Sequence, residues 1–477
     1  MTAVVGDGGD GERLGMAMLD QGTIVAVATP EGRGGLAVVR LSGLDALAIA
    51  HRVAPDAGLG HEVDSHRARL AAVCWPAGAD PTAAAADLAP GQALDQALVL
   101  PMLAPGTYTG EDVVEFFCHG GVMPARLVVA ACRAAGAVTA GPGEFTRRAF
   151  LNGRLTLDQA EAVADLIDTE HAVGARASLA QLRGALDRRL AVLEEPLREM
   201  LARLEGSLEF AEHEDASPPA GEVRTVLARA ASAVDALLSL APAGRRLREG
   251  VQVVLAGPPN AGKSSLFNAL LGRDRALVDA APGTTRDVVT DTLELGGLLF
   301  VIHDTAGLHD AAEGVEARGV TRARDVMAVA DLVLRIETLG EAPHAAPAPT
   351  PDGVAVIDVR TKSDLVDGPP AGDALITSSA TGAGIDALRA AMLETARRDG
   401  LGEAAAAGVV LNQRHQDRLR SCRDHLAQVT AAVDDGAGDE VVASLLAVAL
   451  QDLGAISGRV FTEQMLGDVF NRFCVGK

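Results

Sequence analysis

Cysteines are few in this chain, and none stands in a metal-binding pattern. The five lie at positions 74, 118, 132, 422 and 474, an odd number without a C-x-x-C pair. Disulfide scaffolds and zinc sites both need paired spacings. The sequence therefore indicates free thiols in a reducing compartment.

Long apolar runs and a leader are missing as well. No apolar run reaches the roughly 18 residues that cross a membrane as a helix. The opening residues, MTAVVGDGGDGERLG, contain neither a basic nor an apolar leader region. We expect a cytoplasmic protein without a membrane span, in which the polar, glycine-rich residues 1–21 are a disordered tail.

Positive charge is in deficit. Lys and Arg total 42 against 64 Asp and Glu, which gives a net charge of -22. Phosphate backbones attract positive surfaces, so an acidic chain is a poor autonomous nucleic-acid binder. Any RNA substrate is expected to need a basic partner.

What the chain does contain is a phosphate loop. The stretch VQVVLAGPPNAGKSSLFNALL, residues 251–271, reads as a strand, a glycine-bracketed loop and an amphipathic helix. This context confirms the G-x-x-x-x-G-K-[ST] motif. Gly257 and Gly262 let successive N–H groups turn towards a phosphate. Lys263 can reach the β- and γ-phosphates, and Ser264 can hold magnesium. A glycine-rich turn without a ligand is the alternative, but spacing, lysine, serine and flanks all fit the motif.

A GTPase-type switch follows. LFVIHDTAG, residues 299–307, is a buried-strand pattern that ends in D-x-x-G. The Asp304 carboxylate can take a magnesium-bound water, and the Gly307 N–H can sense the γ-phosphate.

A guanine motif is indicated by TKSD at 361–364. Asp364 can accept two hydrogen bonds from guanine, a pattern that adenine cannot offer, and Lys362 can lie along the base. The motif resembles N-K-x-D, with Thr361 in place of Asn. This change removes an amide that ties the loop, so we expect weaker binding with guanine preference intact. Ser379-Ala380-Thr381 is expected to be the last loop over the base.

The chain length suggests about three domains. The predicted fold class is multidomain α/β and α: residues 22–146 form an α+β domain, 147–249 and 401–477 are helical, and 250–400 form a Ras-like P-loop GTPase domain. Strands are predicted at 23–28, 36–41, 70–75 and 96–102, and helices at 122–135, 152–213, 223–240, 409–453 and 460–473. Either one helical domain is split by the inserted GTPase domain, or the two helical parts are separate domains. Periodicity does not report which helices touch.

Hydrolysis needs a water in line with the γ-phosphate, and many GTPases supply a Gln after D-x-x-G. Here that position is Leu308, which cannot polarise water. Asn260 could instead hold a monovalent cation beside the phosphates, and Glu316 could orient the water through a second one. A solvated charge on a helix is the plainer interpretation of Glu316.

The motifs together resemble one family. GPPNAGKSS, APGTTRD, DTAG and the terminal FCVGK, with TIVAVATPEGRGGLAVVRLSG, YTGEDVVEFFCHGG and PGEFTRRAFLNGRLTLDQAEAVADLI, are similar to the MnmE (TrmE) family of tRNA-modification GTPases over residues 22–477. The resemblance implies an N-terminal domain that binds folate and dimerises, a split helical domain and a potassium-activated GTPase domain.

Motifs and resemblance imply a set of site residues. The GTP-binding residues are Asn260, Ala261, Gly262, Lys263, Ser264, Ser265, Asp279, Ala280, Ala281, Pro282, Gly283, Thr284, Thr285, Asp304, Thr305, Ala306, Gly307, Thr361, Lys362, Ser363, Asp364, Ser379, Ala380 and Thr381. By resemblance, Asn260, Asp279, Ala281 and Thr284 hold potassium. Ser264 and Thr285 hold magnesium, and Glu316 is the catalytic carboxylate.

A folate site is implied in the same way. Arg40, Glu115, Arg154 and Lys477 match positions that contact 5-formyl-tetrahydrofolate or a related one-carbon folate. Basic groups can answer the glutamyl carboxylates, and Glu115 can accept from the pterin amide edge. The family usually has Lys where Arg154 stands. Cys474, beside this site, is either a nucleophile or a small packing residue, and the second interpretation is favoured because no activating group is evident.

The resulting prediction is a homodimeric, potassium-activated GTPase. With an FAD-dependent MnmG (GidA) partner, in a heterotetramer, it adds a carboxymethylaminomethyl-type group to C5 of the wobble uridine of certain tRNAs. One alternative is a regulatory GTPase of ribosomes or membranes without RNA chemistry. Another is an assembly scaffold with negligible turnover, which Leu308 keeps open.

Overall fold

The computed structural model describes residues 3–4, 22–60, 62–77, 88–209, 217–272, 289–304, 326–340, 350, 353–366 and 374–477. Tertiary contacts divide the chain into two compact units. The first unit comprises Met1–Ala164 and Gly454–Lys477, and the second comprises Asp165–Leu453.

The strands in chain order are β1 (Ala3–Val4), β2 (Ile24–Val27), β3 (Leu36–Ser42), β4 (Arg69–Cys74), β5 (Ala93–Met102), β6 (Val113–His119), β7 (Val138–Thr139), β8 (Val251–Ala256), β9 (Val289–Leu295), β10 (Leu298–Asp304), β11 (Leu332–Thr338), β12 (Ala355–Thr361), β13 (Leu375–Ile376) and β14 (Val460–Phe461). The helices are α1 (Ala46–Val53), α2 (Val122–Ala134), α3 (Glu144–Leu151), α4 (Leu157–Asp168), α5 (Ala172–Leu182), α6 (Ala185–Glu209), α7 (Ala220–Ser239), α8 (Ala241–Glu249), α9 (Lys263–Leu271), α10 (Ile385–Ala396), α11 (Gly402–Ala407), α12 (Gln413–Asp434), α13 (Asp439–Ser457) and α14 (Glu463–Phe470).

The first unit contains a six-stranded sheet in the order β4-β5-β6-β3-β2-β7. Only β2 and β7 pair in parallel. Helices α1 and α2 pack on one face over a core that includes Val39, Trp75 and Phe116. On α3, Phe145 packs against Ile24 and Ala26, whose side chains leave β2 on the opposite face.

Alternating and apolar runs predicted β2 to β5 and α2, and the structure confirms them. The central strand β6 was missed by the periodicity argument. Its sequence, VVEFFCH, is a nearly continuous apolar run that does not alternate cleanly. Such runs are typical of strands with neighbours on both sides.

The predicted final helix over 460–473 is wrong at both ends. Val460 and Phe461 pair antiparallel with Val4 and Ala3, so two residues of the predicted tail form a strand. Helix α14 begins only after Thr462, whose hydroxyl accepts a hydrogen bond from the N–H of Met465. It ends at Phe470, and the remaining residues turn back towards α3.

The second unit contains a six-stranded sheet in the order β13-β12-β11-β8-β10-β9. All neighbours are parallel except β9, which pairs antiparallel with β10. The carboxyl ends of parallel strands share one edge of a sheet, which is where such folds bind ligands. The carboxyl ends of β8, β10 and β12 therefore lie at one edge.

Helices before and after the sheet segment pack on each other. Helix α12 packs along α7, which also packs against α6. Arg224 of α7 lies 2.6 Å from Asp434 of α12, and Arg423 of α12 lies 3.8 Å from Asp235 of α7. These contacts fit one helical domain interrupted by the sheet segment.

Within the part of the chain that the structure describes, two helical stretches are, by length and composition, long and apolar enough to cross a membrane. They are Ala220–Glu249, with mean hydropathy 1.4, and Asp439–Ser457, with mean hydropathy 1.5. The expectation that the chain has no membrane span therefore stays a prediction. Both stretches bury apolar side chains within the second unit, such as Leu227 and Val234 in the first stretch and Leu446 in the second.

Candidate functional site

The loop between β8 and α9 has the backbone that a phosphate loop requires. A Cβ on Gly257 would lie 2.2 Å from the carbonyl oxygen of Ile336 on β11, so only glycine fits there. Gly262 has φ 86° and Asn260 has φ 63°, both in the left-handed region. The chain therefore curls between the strand and the start of α9, which turns backbone N–H groups to one side.

Two side chains of α9 are fixed by this loop and by β10. Lys263 is buried, and its Nζ donates to the carbonyl oxygens of Gly257 at 3.0 Å and Pro258 at 2.8 Å. The Ser264 hydroxyl donates to Oδ2 of Asp304 at 2.7 Å. A hydroxyl and a carboxylate side by side are hard oxygen ligands of the kind that magnesium uses directly or through water. The sequence-predicted pair is thus brought together.

Thr361 joins the base loop, which comprises residues 361–364 and 377–381, to the phosphate loop. Its hydroxyl, which is buried, donates to the carbonyl oxygen of Ala261 at 2.6 Å and lies 3.2 Å from that of Glu337. The two bonded residues are 100 positions apart in the sequence. The hydroxyl that stands in place of the amide therefore still reaches the phosphate loop, and the expected weaker nucleotide binding stays a prediction.

Asp364 is held by a residue that the sequence argument missed. The Ser378 hydroxyl donates to Oδ1 of Asp364 at 2.6 Å, and Oγ of Ser378 also accepts from the N–H of Thr381 at 3.2 Å. Asp364 is an exposed residue. The signal that could have found Ser378 is its place two residues after the short strand β13. The loop assigned to Ser379, Ala380 and Thr381 thus begins one residue earlier.

Some of the other predicted nucleotide residues are described by the structure, and the rest are not. Asn260 and Ser265 are exposed, Lys362 has φ 61°, and Ser363 donates its N–H to Thr377. Asp279 to Thr285, Thr305 to Gly307 and Glu316 lie outside the described residues.

A second cluster lies in the first unit, around Arg40. Arg40 on β3 stands opposite Glu115 on β6, and its Nε donates to Oε1 of Glu115 at 2.7 Å. Its guanidinium carbon lies 5.7 Å from the ring centre of Tyr108 and 5.6 Å from that of Phe145. Two aromatic rings and one carboxylate thus fix the guanidinium in a half-buried position. These two charges are not solvated surface groups.

The last residues of the chain reach the same cluster. The N–H of Phe145 donates to the carbonyl oxygen of Lys477 at 3.2 Å, and Pro142 pairs with Val475. Gly476 has φ 102°, and a Cβ there would lie 2.1 Å from the carbonyl oxygen of Val27. The terminal Lys477 is therefore anchored beside Phe145 by a position that only glycine can occupy.

Arg154 and Cys474 lie at the margin of the cluster. Arg154 is exposed, and its Cγ would lie 3.3 Å from a Cβ on Gly110, in the loop that carries Tyr108. Cys474 is exposed, so the favoured interpretation as a packing residue is wrong. Burial raises the pKa of the Cys118 thiol to about 11 and that of Cys422 to about 12, which makes those thiols poor nucleophiles.

The second unit has the fold and the site of a P-loop GTPase domain. The phosphate loop follows a central parallel strand, the Asp304 carboxylate ends the next strand, and the loop that begins at Thr361 lies two strands away. Comparison with known proteins gives the family. The profile of the MnmE helical domain matches residues 157–474, and that of the GTP-binding protein TrmE N-terminus matches residues 23–154.

Curated relatives match over almost the whole chain. The tRNA modification GTPase MnmE of Symbiobacterium thermophilum is 40% identical over 472 residues, which cover 95% of this chain and 99% of the relative. The Thermus thermophilus protein of the same name is 41% identical over 459 residues, with the same coverage. That of Moorella thermoacetica is 39% identical over 484 residues, or 96% of this chain and all of the relative. The chain belongs to the MnmE family.

Proposed function

We propose that this chain is a potassium-activated GTPase that modifies the wobble uridine of certain tRNAs together with an FAD-dependent partner of the MnmG (GidA) type. The observation that carries the GTPase part is the Thr361 hydroxyl on Ala261, because it closes the base loop onto the phosphate loop. The added group would be of the carboxymethylaminomethyl type at C5. The relatives are named tRNA modification GTPases, which supports the RNA part.

The nucleotide roles follow from the chemistry of the side chains. Lys263 would exchange its two loop carbonyls for the β- and γ-phosphates, which are stronger acceptors. Ser264 would ligate magnesium and Asp304 would hold its water, with Thr285 as the second protein ligand. Asp364, steadied by Ser378, would accept from guanine.

The cation role rests on Asn260. Its side chain is exposed at the outer turn of the phosphate loop, where its oxygen can face a monovalent cation beside the phosphates. Asp279, Ala281 and Thr284 would complete the potassium site, and Glu316 would orient the attacking water. A bound cation would stabilise the charge that develops on the transferred phosphoryl group.

The folate role rests on Arg40 and Glu115. Arg40 uses Nε for the ion pair, and its two terminal nitrogens have no hydrogen bond among the described residues. Glu115 likewise keeps Oε2 for a ligand. The cluster therefore fits a folate, with Arg40, Lys477 and Arg154 answering its carboxylates and Glu115 accepting from its pterin. When bound, the folate would supply the one-carbon unit.

The proposed homodimer would form on the open face of the first unit's sheet. Val38, Phe117, Leu98 and Leu70 stand directly opposite one another on β3, β6, β5 and β4. Leu98 is 44% exposed and Leu70 is 61% exposed, so the row presents apolar surface. A second copy of this row is the proposed occupant. The acidic chain would reach tRNA through the partner complex in the cytoplasm.

Potassium dependence tests the GTPase mechanism. Turnover of GTP by the purified chain should be at least about tenfold faster in potassium than in sodium, because the cation completes transition-state stabilisation. The effect should grow with protein concentration as GTPase domains meet. Equal turnover in the two salts would contradict the mechanism and favour a regulatory GTPase or a scaffold.

Two variants separate the roles of the cation and the water. Asn260→Ala should lose much of the potassium response while GTP still binds. Glu316→Ala should lose the chemical step while nucleotide binding and cation-dependent association remain. Asn268→Ala, which changes an exposed asparagine on α9 outside the loop, is the matched control.

A further inference from the structure

The base loop contains a buried hydroxyl without a partner. Thr377 is fully buried, and its Oγ1 has no hydrogen-bond partner among the residues that the structure describes. Its backbone is satisfied, since its N–H donates to Arg360 and its carbonyl accepts from Ser363. Buried hydroxyls in folded proteins are nearly always bonded, because burial takes away their hydrogen bonds to water.

Thr361 is the neighbour that could satisfy this hydroxyl and does not. Strands β12 and β13 pair in parallel with Arg360 opposite Ile376, so Thr361 and Thr377 come next on the two adjacent chains. Opposite residues of a parallel pair leave the sheet on the same face. The Thr361 hydroxyl donates to Ala261, and its lone pairs could still accept from Thr377. The structure has no hydrogen bond between the two hydroxyls.

We propose that Thr361 and Thr377 together set how long this chain holds a guanine nucleotide. Thr361 fastens the base loop to the phosphate loop by one buried side-chain bond, and Thr377 adds none. The base loop, which carries Asp364 and Ser378, is therefore held by fewer hydrogen bonds than the neighbouring polar groups could form. Both threonines are buried, so they are positioning residues that act through the loop. The inference rests on the proposed assignment of Asp364 to guanine.

An amide at position 361 would use both neighbours. Its NH₂ group can donate to Ala261 while its oxygen accepts from Thr377, whereas the shorter Thr361 hydroxyl bonds to Ala261 and forms no bond with Thr377 in this structure. The additional bond would stiffen the base loop and slow its opening. Nucleotide release should respond, because the base cannot leave while the loop is closed over it.

Release of fluorescent GDP from the full-length chain, followed by stopped flow, tests the proposal. Thr361→Asn should release GDP about three- to tenfold more slowly, the scale of one net neutral hydrogen bond. Thr377→Val alone should change the rate of GDP release little, because valine has a similar shape to threonine and the hydroxyl that is lost has no partner among the described residues. In the double variant, the slowing of GDP release by Thr361→Asn should vanish. Thr361→Val should release GDP faster than wild type. Thr361→Ser should release GDP at the wild-type rate, because serine keeps the hydroxyl.

The single-turnover rate of GTP cleavage is the second readout. Thr361→Asn should change the rate of GDP release by a larger factor than the rate of GTP cleavage, since the contacts of Lys263 and Ser264 are kept, whereas a general structural defect would lower the rate of cleavage as well. Equal rates of GDP release by wild type and Thr361→Asn would overturn the proposal. Slower release that persists in the double variant would overturn it as well. Failure of the wild-type chain to bind GDP at all would instead overturn the guanine assignment.

Discussion

Single residues decide how distant parts of each unit are joined. Gly476 passes beside β2 with φ 102°, where any side chain would meet the carbonyl oxygen of Val27. Thr361 joins two loops by one hydroxyl. Neither residue takes part directly in the proposed chemistry. Gly476 fixes the position of Lys477, and Thr361 fixes the position of the base loop that carries Asp364.

Gly476→Ala should displace the terminal Lys477 from the Arg40 cluster. A Cβ placed 2.1 Å from a backbone oxygen forces the chain to move, and the left-handed φ adds strain. Formyl-tetrahydrofolate binding, measured by calorimetry, should weaken about tenfold or more, on the scale of a lost charge-assisted contact. GTP hydrolysis should change little, since the phosphate loop lies in the other unit.

Gly467→Ala is the matched control. Gly467 lies on α14, where an added Cβ would meet only the Asn471 amide at 3.9 Å. Folate affinity should be retained in this variant. Unchanged folate affinity in Gly476→Ala would remove the terminal residues from the proposed site.

At the residue scale the sequence predicted the chemical groups better than their partners. Spacing alone placed Lys263, Ser264 and Asp364 in motifs, because those motifs are local. It did not predict that Ser378 steadies Asp364, or that Thr361 keeps a bond to Ala261. These bonds depend on which strands become neighbours, and local sequence does not contain that information.

At the element scale, Asp331 fastens α8 to the sheet of the second unit. It precedes β11 and is 6% exposed. Its carboxylate accepts from Arg245, from Arg246 at 3.2 Å and from the N–H of Gln252 at 2.9 Å. One side chain thereby joins the helix that enters the GTPase domain to the first residues of β8.

Asp331→Ala should lower the free energy of unfolding of the second unit by about 2–4 kcal/mol, because two arginines and a backbone N–H lose a buried acceptor. Denaturant unfolding measures this loss. Asp358→Ala is the control, since it breaks the exposed pair with Arg335 on the same sheet and should cost about 1 kcal/mol or less. Equal losses in the two variants would contradict the proposed anchoring role.

Elements with a local pattern were predictable, and those that depend on distant pairing were not. Helix α7 and strand β10 follow from periodicity and apolar runs. The pairing of β1 with β14 joins the two ends of the chain, and it takes Val460 and Phe461 out of the predicted helix. No window of the sequence contains both partners.

At the scale of the whole molecule, the open sheet face should hold two copies together. Leu98→Glu places a charge in the middle of the apolar row, where a second copy would have to bury it, so the dimer should dissociate. Analytical ultracentrifugation should show a shift from dimer to monomer at micromolar concentration. Leu44→Glu, at a site 81% exposed and off the row, should remain dimeric. A dimeric Leu98→Glu variant would place the interface elsewhere.

The central claim is that this chain is required for tRNA modification. Its most direct test is nucleoside analysis, by mass spectrometry, of tRNA from cells that lack the gene. The account predicts loss of the carboxymethylaminomethyl-type group at the wobble uridine, restored by the wild-type chain and not by Lys263→Ala, which cannot hold the phosphates. Unchanged wobble uridines in cells without the chain would contradict the account and favour a regulatory GTPase.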